Sequence, residues 1–354
     1  MLSITKALTG HGWTVSCLDN NGAKRRRDRR RRVREQNVLS LPRSVRIAEV
    51  GPRDGLQSFH RWVDTDTKVA MVDRLSELGP AVIEVSSFAH PKVVPHLRDA
   101  EEVFARIRRR PGVTYRALVP NARGARRAAA CSIDEMLGLM TISATYLRKN
   151  QNMTIEEAIE QNLESFRISD ANGTPFVMAL GMAFWCAYEG TIPEQRVLEV
   201  TQRLHDGGIR SFYLAGSLGM EDPAHVNRLF LRLRERFPKA SFGFHIHNLS
   251  GMATANILAA LDGGVEWLEG AVCGIGGGIA MPTTIGSVGN FPTEDLVSML
   301  SEMGIDPGLD PAKTVQASCE IATMLGIEPR SHRANGATRD AIRKAAVTNP
   351  REHP

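Results

Sequence analysis

Between residues 45 and 304 the chain repeats one pattern eight times: a short apolar run, then a longer stretch with helical spacing. The apolar runs are 45–50, 81–85, 115–119, 136–142, 176–180, 211–214, 242–247 and 267–272. Between them lie helical patterns at 67–78, 100–109, 122–130, 155–169, 193–205, 223–237, 251–262 and, after the last run, 293–303. In the first of these, Val69, Met71, Val72, Leu75 and Leu78 share one face. Thr154 precedes Glu156 and Glu157, and Thr293 precedes Glu294 and Asp295, so acidic first turns complement the helix dipole. Strict alternation of this kind implies a parallel sheet. Eight units in about 260 residues is the size of a (β/α)8 TIM barrel. The rival is an open doubly wound sheet, which would usually carry a GxGxxG turn after its first strand; here that turn reads EVGPRDGLQ. The expected fold is therefore α/β, with a barrel over 45–304. Two further helical patterns, 312–325 and 337–345, are too short for a second catalytic domain and are expected to pack on the barrel, so that 305–354 supplies C-terminal helices and a tail.

Residues 1–44 have a different texture. Residues 24–34 read KRRRDRRRRVR, nine basic groups and one acid, for a charge of +8. The whole chain of 354 residues carries +5, so subtracting this tract leaves −3 for the remainder. The self-repelling tract and weak hydrophobic periodicity predict a disordered extension over 1–44. With the basic charge confined there, no nucleic-acid partner is expected for the barrel. A nucleic-acid or anionic-surface tail is the alternative for the extension, but no aromatic residue interleaves its arginines. No apolar run resembles a secretory signal; an Arg-rich transit peptide to an organelle matrix is the alternative, opposed by Asp19, Asp28 and Glu35. No stretch of about 18 uncharged apolar residues exists, so no membrane span is expected. The five cysteines (Cys17, Cys131, Cys186, Cys273 and Cys319) are odd in number and widely spaced, which fits a reduced, cytoplasmic protein.

In a barrel, reactive groups gather where strands end and βα loops begin. Strand one ends in Glu49, Arg53 and Asp54, strand two in Glu84, Ser86 and Ser87, and strand seven in His245, His247 and Asn248. His245 and His247 are two apart on a strand and face one side. With Asp54 from the first strand and Asn290 beyond the eighth, they form a mixed N/O set suited to a hard or borderline divalent cation. The other reading is a pair of hydrogen-bonded histidines filling the upper barrel layer. Arg53 could stabilise a developing oxyanion, form a salt bridge to Glu84, or do both. Glu84 lies in an apolar run and needs a partner whatever its role. Gly276, Gly277 and Gly278 make a flexible loop after strand eight, with no Lys-Ser/Thr pair to mark a phosphate site.

These residues resemble the hydroxymethylglutaryl-CoA lyase family, within the metal-dependent lyase and Claisen-synthase barrels. The resemblance is carried by VRIAEVGPRDGLQ at 45–57, VIEVSSF at 82–88 with Pro91 and Lys92, YEG at 188–190, HIH at 245–247 and GNFPTEDL at 289–296. It spans about 45–305 in order. It implies a divalent metal, Mg2+ or Mn2+, on Asp54, His245, His247 and Asn290, an acyl-CoA substrate, and catalytic roles for Arg53 and, as a catalytic or orienting carboxylate, Glu84. The metal would hold the substrate's tertiary hydroxyl and a carboxylate oxygen, and Arg53 would face the acetyl-CoA enolate released when the C–C bond breaks. It further implies a setting in leucine degradation and a homodimer.

The sequence departs from that pattern at four points. The loop cysteine of Gly-Leu-Gly-Gly-Cys is replaced in the run Gly274, Ile275, Gly276, Gly277, Gly278, and the loop to Asn290 is about three residues longer. The Gly-Asp-Thr turn after strand six becomes Ala215, Gly216, Ser217, without its carboxylate. The step after the second histidine becomes Asn248, Leu249. Cys273 could take over from the missing thiol, or be a buried strand-end thiol. The leading reading is a metal-dependent C–C lyase giving acetyl-CoA and a 3-oxo acid, acetoacetate. The alternatives are a Claisen-type synthase joining acetyl-CoA to a 2-oxo acid, and a metal-binding barrel with degraded catalysis.

Overall fold

The fold is taken from a computed structural model in which residues 39–277 and 289–348 are described. Eight parallel strands close a barrel: β1 Arg46–Glu49, β2 Val82–Ser87, β3 Thr114–Leu118, β4 Glu135–Thr141, β5 Phe176–Gly181, β6 Ser211–Gly216, β7 Ser241–Ile246 and β8 Trp267–Gly270. Each strand pairs with its neighbours in sequence, and β1 closes on β8 through Arg46 opposite Trp267. The alternation read from the sequence is this topology. Side chains of period two separate the layers. Ala48, Leu118, Leu137, Val177, Ala179, Tyr213, Ala215 and Trp267 form the cluster inside the barrel, while the other strand faces join the larger core beneath the helices.

Three local elements escape the hydrophobic periodicity. The chain after β1 winds into one π-helical turn, Gly51–Gly55, entirely buried. A helix Ala144–Gln151 precedes the helix Ile155–Ala171; Ser143 caps its start, and Asn152 ends it in the left-handed region at φ 50°. Only Leu147 of that helix is buried, so it offers almost no apolar stripe to read. A two-stranded hairpin pairs Trp185–Cys186 with Gly190–Thr191.

The end segments depart from expectation in detail. Most of the 1–44 extension lies outside the described residues, but Ser40 N–H donates to Asp262 (2.6 Å) and Arg43 O accepts from Asp306 N–H (2.9 Å), so ordered backbone reaches back before β1. The helix Pro311–Leu325 packs through Ala317, Ile321 and Leu325 and an ion pair from Arg74 to Glu320. The helix Arg339–Thr348 does not: its described side chains are exposed, Ile342 and Val347 included. Arg339 is tied to the rest of the chain by an ion pair to Glu302 (3.1 Å).

The start of the site is pinned by Glu49. Its Oε1 accepts from Gly51 N–H (2.8 Å) and Val272 N–H (2.9 Å), and its Oε2 from Thr293 Oγ1 (2.5 Å). This one buried carboxyl thus ties β1 to the chain after β8 and to the helix Thr293–Glu302. Burial pushes it up to about 7, against the pull of those three donors. Each buried donor left without an acceptor costs about 1–3 kcal/mol. Glu49→Ala is therefore expected to lose more than about 3 kcal/mol in urea denaturation; a loss below about 1 kcal/mol would show that the knot is dispensable.

Candidate functional site

The π-helical turn turns two side chains into the barrel mouth. Asp54 N–H donates to Val50 O (2.8 Å), and the carboxylate that follows divides its two oxygens between two sets of neighbours. Oδ1 accepts from Arg53 Nη1 (2.8 Å) and Gln57 Nε2 (2.8 Å). Oδ2 faces the histidines, 4.0 Å from His247 Nε2, and accepts from Asn290 Nδ2 (2.7 Å). Asn290 is brought there by backbone pairing with the end of β7: His247 and Asn290 form an antiparallel bridge, and Phe291 N–H donates to Ile246 O (2.9 Å). Gly276 must be a glycine, because a Cβ on it would stand 2.2 Å from Asn290 Nδ2, and its φ is +133°.

The residues of Asp54, His245 and His247 offer ligand atoms that all lie within 4.8 Å of one another. His245 Nε2 and His247 Nε2 face each other at 2.9 Å. At that distance the two rings are hydrogen-bonded to each other; two ligands at right angles around an ion about 2.1 Å away would be about 3.0 Å apart, so the same spacing also suits a small octahedral cation. Asn290 Oδ1 is buried beside them with no hydrogen-bond partner among the described residues. Two imidazoles, a carboxylate and an orphaned amide oxygen are a donor set that fits such a cation. Burial pushes the Asp54 carboxyl up, but Arg53, His245 and His247 outweigh it and hold it below the usual range, charged and ready to ligate.

Arg53 is buried and held from two sides, by Glu84 Oε1 at its Nε and by Asp54 at Nη1. Two charge-assisted hydrogen bonds to separate carboxylates fix the guanidinium plane. Glu84 Oε2 is buried without a partner among the described residues. Burial pushes the Glu84 carboxyl up and Glu269 adds to it, while Arg53 pulls it down; the net direction is upward. The salt-bridge reading of Arg53 is thus met: the guanidinium is paired with Glu84.

Several supporting groups were not visible as site residues in the sequence. Glu269 on β8 stands opposite His245 in register and accepts at 3.1 Å from His245 Nδ1, so the ring can present Nε2 to the cluster. The same carboxylate takes Arg116 Nη1 (2.7 Å) and Trp267 Nε1 (3.2 Å), and Arg116 Nε reaches Glu135 (2.6 Å). The Tyr213 ring stacks on His245 at 5.7 Å. The available signal was one acid inside the apolar run 267–272.

The altered positions have structural outcomes. Cys273 is a buried thiol with Sγ 3.3 Å from Ser318 O, and burial pushes it up to about 12. That is a structural thiol, not a proton carrier at neutral pH. Cys273→Ser is expected to keep most of the turnover per folded molecule; a drop of ~10²-fold, the size of a lost general acid, would reverse this assignment. Gly277 O accepts from Ser58 Oγ (2.6 Å), whereas Gly278 lies outside the described residues. No carboxylate stands at 215–217; the carboxyl of Glu221 lies over Gly216 instead. Beside the cluster, a cavity of about 500 Å³ is lined by Gly55, Phe59, His60, Ile275, Gly276 and Arg330, among others. No described helix is long and apolar enough to cross a membrane.

Comparison with known proteins agrees with this geometry. Residues 44–321 match the HMGL-like family. The bovine mitochondrial hydroxymethylglutaryl-CoA lyase is 35% identical over 295 residues, covering 83% of this chain and 90% of that one. The mouse cytoplasmic 3-hydroxy-3-methylglutaryl-CoA lyase is 37% identical over 277 residues, covering 78% and 80%. Among solved structures, an HMG-CoA lyase from Acinetobacter baumannii in complex with coenzyme A and 3-methylmalate superposes with a TM-score of 0.78 at 32% identity, covering 84% of this chain and 96% of that one.

Proposed function

The chain belongs to the HMGL-like family, and from that premise we propose that it is a metal-dependent carbon–carbon lyase cleaving a 3-hydroxy-3-methylglutaryl-CoA-like thioester to acetyl-CoA and acetoacetate. The observation that carries the reading is the convergence of Asp54, His245 and His247 beside a buried, carboxylate-clamped Arg53. Asp54, His245, His247 and Asn290 would hold Mg2+ or Mn2+. Such an ion, when bound, supplies Lewis acidity toward the hydroxyl and carboxylate oxygens of the substrate. Arg53 places a fixed positive charge where the enolate oxygen of the departing acetyl-CoA gains negative charge, and a preorganised charge there needs no reorganisation during reaction. Glu84 holds Arg53 in that plane and keeps one carboxyl oxygen uncommitted at the mouth, able to carry or orient a proton. The cavity lined by Gly55 and Gly276, neighbours of Asp54, is where the thioester arm would lie.

A cytoplasmic setting suits the four described cysteines, all free, and the family resemblance adds a homodimer and a place in leucine degradation to the same reading. The test is chelation followed by reloading. Chelator-treated protein should release no acetyl-CoA from hydroxymethylglutaryl-CoA, and release should return with added Mn2+. Equal release before and after chelation would refute the metal-dependent reading.

A further inference from the structure

Glu221 is a buried acid that the proposed chemistry does not use. It lies in the loop after β6, yet it is only 3% exposed. Its carboxyl fills the space above the last residue of β6: a Cβ built on Gly216 would stand 2.1 Å from Glu221 Oε1 and 2.6 Å from its carboxyl carbon. Only glycine at 216 leaves room for that carboxyl. Gly216 pairs with Ile246 of β7, the residue between the two histidines. The helix Ala253–Asp262 braces the other side, where Asn256 Nδ2 donates to Glu221 O (3.0 Å) and Oε1 (3.4 Å).

The rest of the loop is pressed onto the same segment. Gly219 N–H donates to Gly216 O (2.9 Å), and a Cβ on Gly219 would stand 2.6 Å from His247 O. Ser250, three residues past His247, returns its backbone N–H to Gly219 O (3.2 Å). Burial pushes the Glu221 carboxyl up to about 7, against the N–H groups of Met220 and Glu221, the amide of Asn256 and the charge of His245. This acid is kept there at the expense of its solvation, with no Lys or Arg among the described residues to pair it.

We propose that Glu221 is a positioning residue for the histidine pair: its carboxyl, seated over Gly216, wedges the β6 loop between the β6–β7 ends and the helix Ala253–Asp262 and thereby fixes where His245 and His247 present their nitrogens. The proposal rests on the metal-site reading above. Groups hydrogen-bonded to metal ligands typically change metal affinity by about 10–100-fold, and a group acting through the backbone beside them is expected at the lower end, about 10-fold. Glu221→Ala is expected to weaken Mn2+ binding in calorimetry by that factor, while the melting temperature shifts little. Glu221→Gln keeps the shape and the acceptor and should stay within about three-fold of wild type, below that range. Gly216→Ala should expel the Glu221 carboxyl and copy the loss. The double variant Gly216→Ala/Glu221→Ala should be no worse than either single one, because both remove the same contact.

Should Glu221→Ala fail to fold, Glu221→Asp, one methylene shorter, pulls the carboxyl off Gly216 and carries the same test. Unchanged Mn2+ affinity in a folded Glu221→Ala variant, or losses at 216 and 221 that simply add, would overturn the proposal. Failure of the wild-type protein itself to bind Mn2+ would instead overturn the metal-site reading, and the proposal with it.

Discussion

Alanine at His245 is expected to strip the cation from the purified protein while the barrel stays folded. His245 contributes one of the two nitrogens facing each other at 2.9 Å, and no other described side chain can replace it on β7. Removing a ligand should exceed the effect of removing an outer-shell partner, so affinity is expected to fall by more than about 100-fold. The fold should survive because Glu269, the ring's partner, keeps Arg116 and Trp267 as donors. Elemental analysis of metal-loaded protein reads the first effect and circular dichroism the second. Asp54→Ala should lose the ion in the same way. Metal content equal to wild type in both variants would defeat the ligand assignment.

Replacing Arg53 by methionine should have the largest effect on turnover at saturating metal. Loss of one preorganised donor to a developing oxyanion costs about 10²–10³-fold in kcat. The substitution also leaves Glu84 and Asp54 buried without their shared cation, and breaking a buried pair by removing one partner costs about 3–5 kcal/mol. Both effects have one origin, the clamp that holds the guanidinium plane. Arg53→Lys separates them: a point charge retains part of the neutralisation but cannot bridge two carboxylates through a planar fork. Its stability should recover more than its kcat. Steady-state kinetics with denaturation curves check this, and a kcat of Arg53→Met close to wild type would remove Arg53 from the chemistry.

The barrel was legible because alternation of short apolar runs with amphipathic stretches is a local property of the chain. The eight runs became β1–β8 with ends shifted by a few residues at most. The facing of His245 and His247 was legible for the same reason, since strand alternation sets it. Glu269 was not, because its use depends on β8 lying beside β7 in the register that sets it opposite His245, 24 residues away. Glu221 was hidden in another way: a loop acid reads as solvated until the fold closes it over a glycine five positions earlier. Cys273 shows the opposite case. Position alone left two fates open, and the contact with Ser318 decides for the buried one. The helix Arg339–Thr348 had helical spacing, yet its described side chains are exposed, because spacing alone does not say what a helix packs against.

The measurement that bears most directly on the account is product stoichiometry. Purified wild-type protein loaded with Mn2+ is incubated with hydroxymethylglutaryl-CoA, and both products are followed by mass spectrometry. One acetyl-CoA is expected for each acetoacetate, growing with time and absent without metal. Intact hydroxymethylglutaryl-CoA after incubation with folded, metal-loaded protein would contradict it.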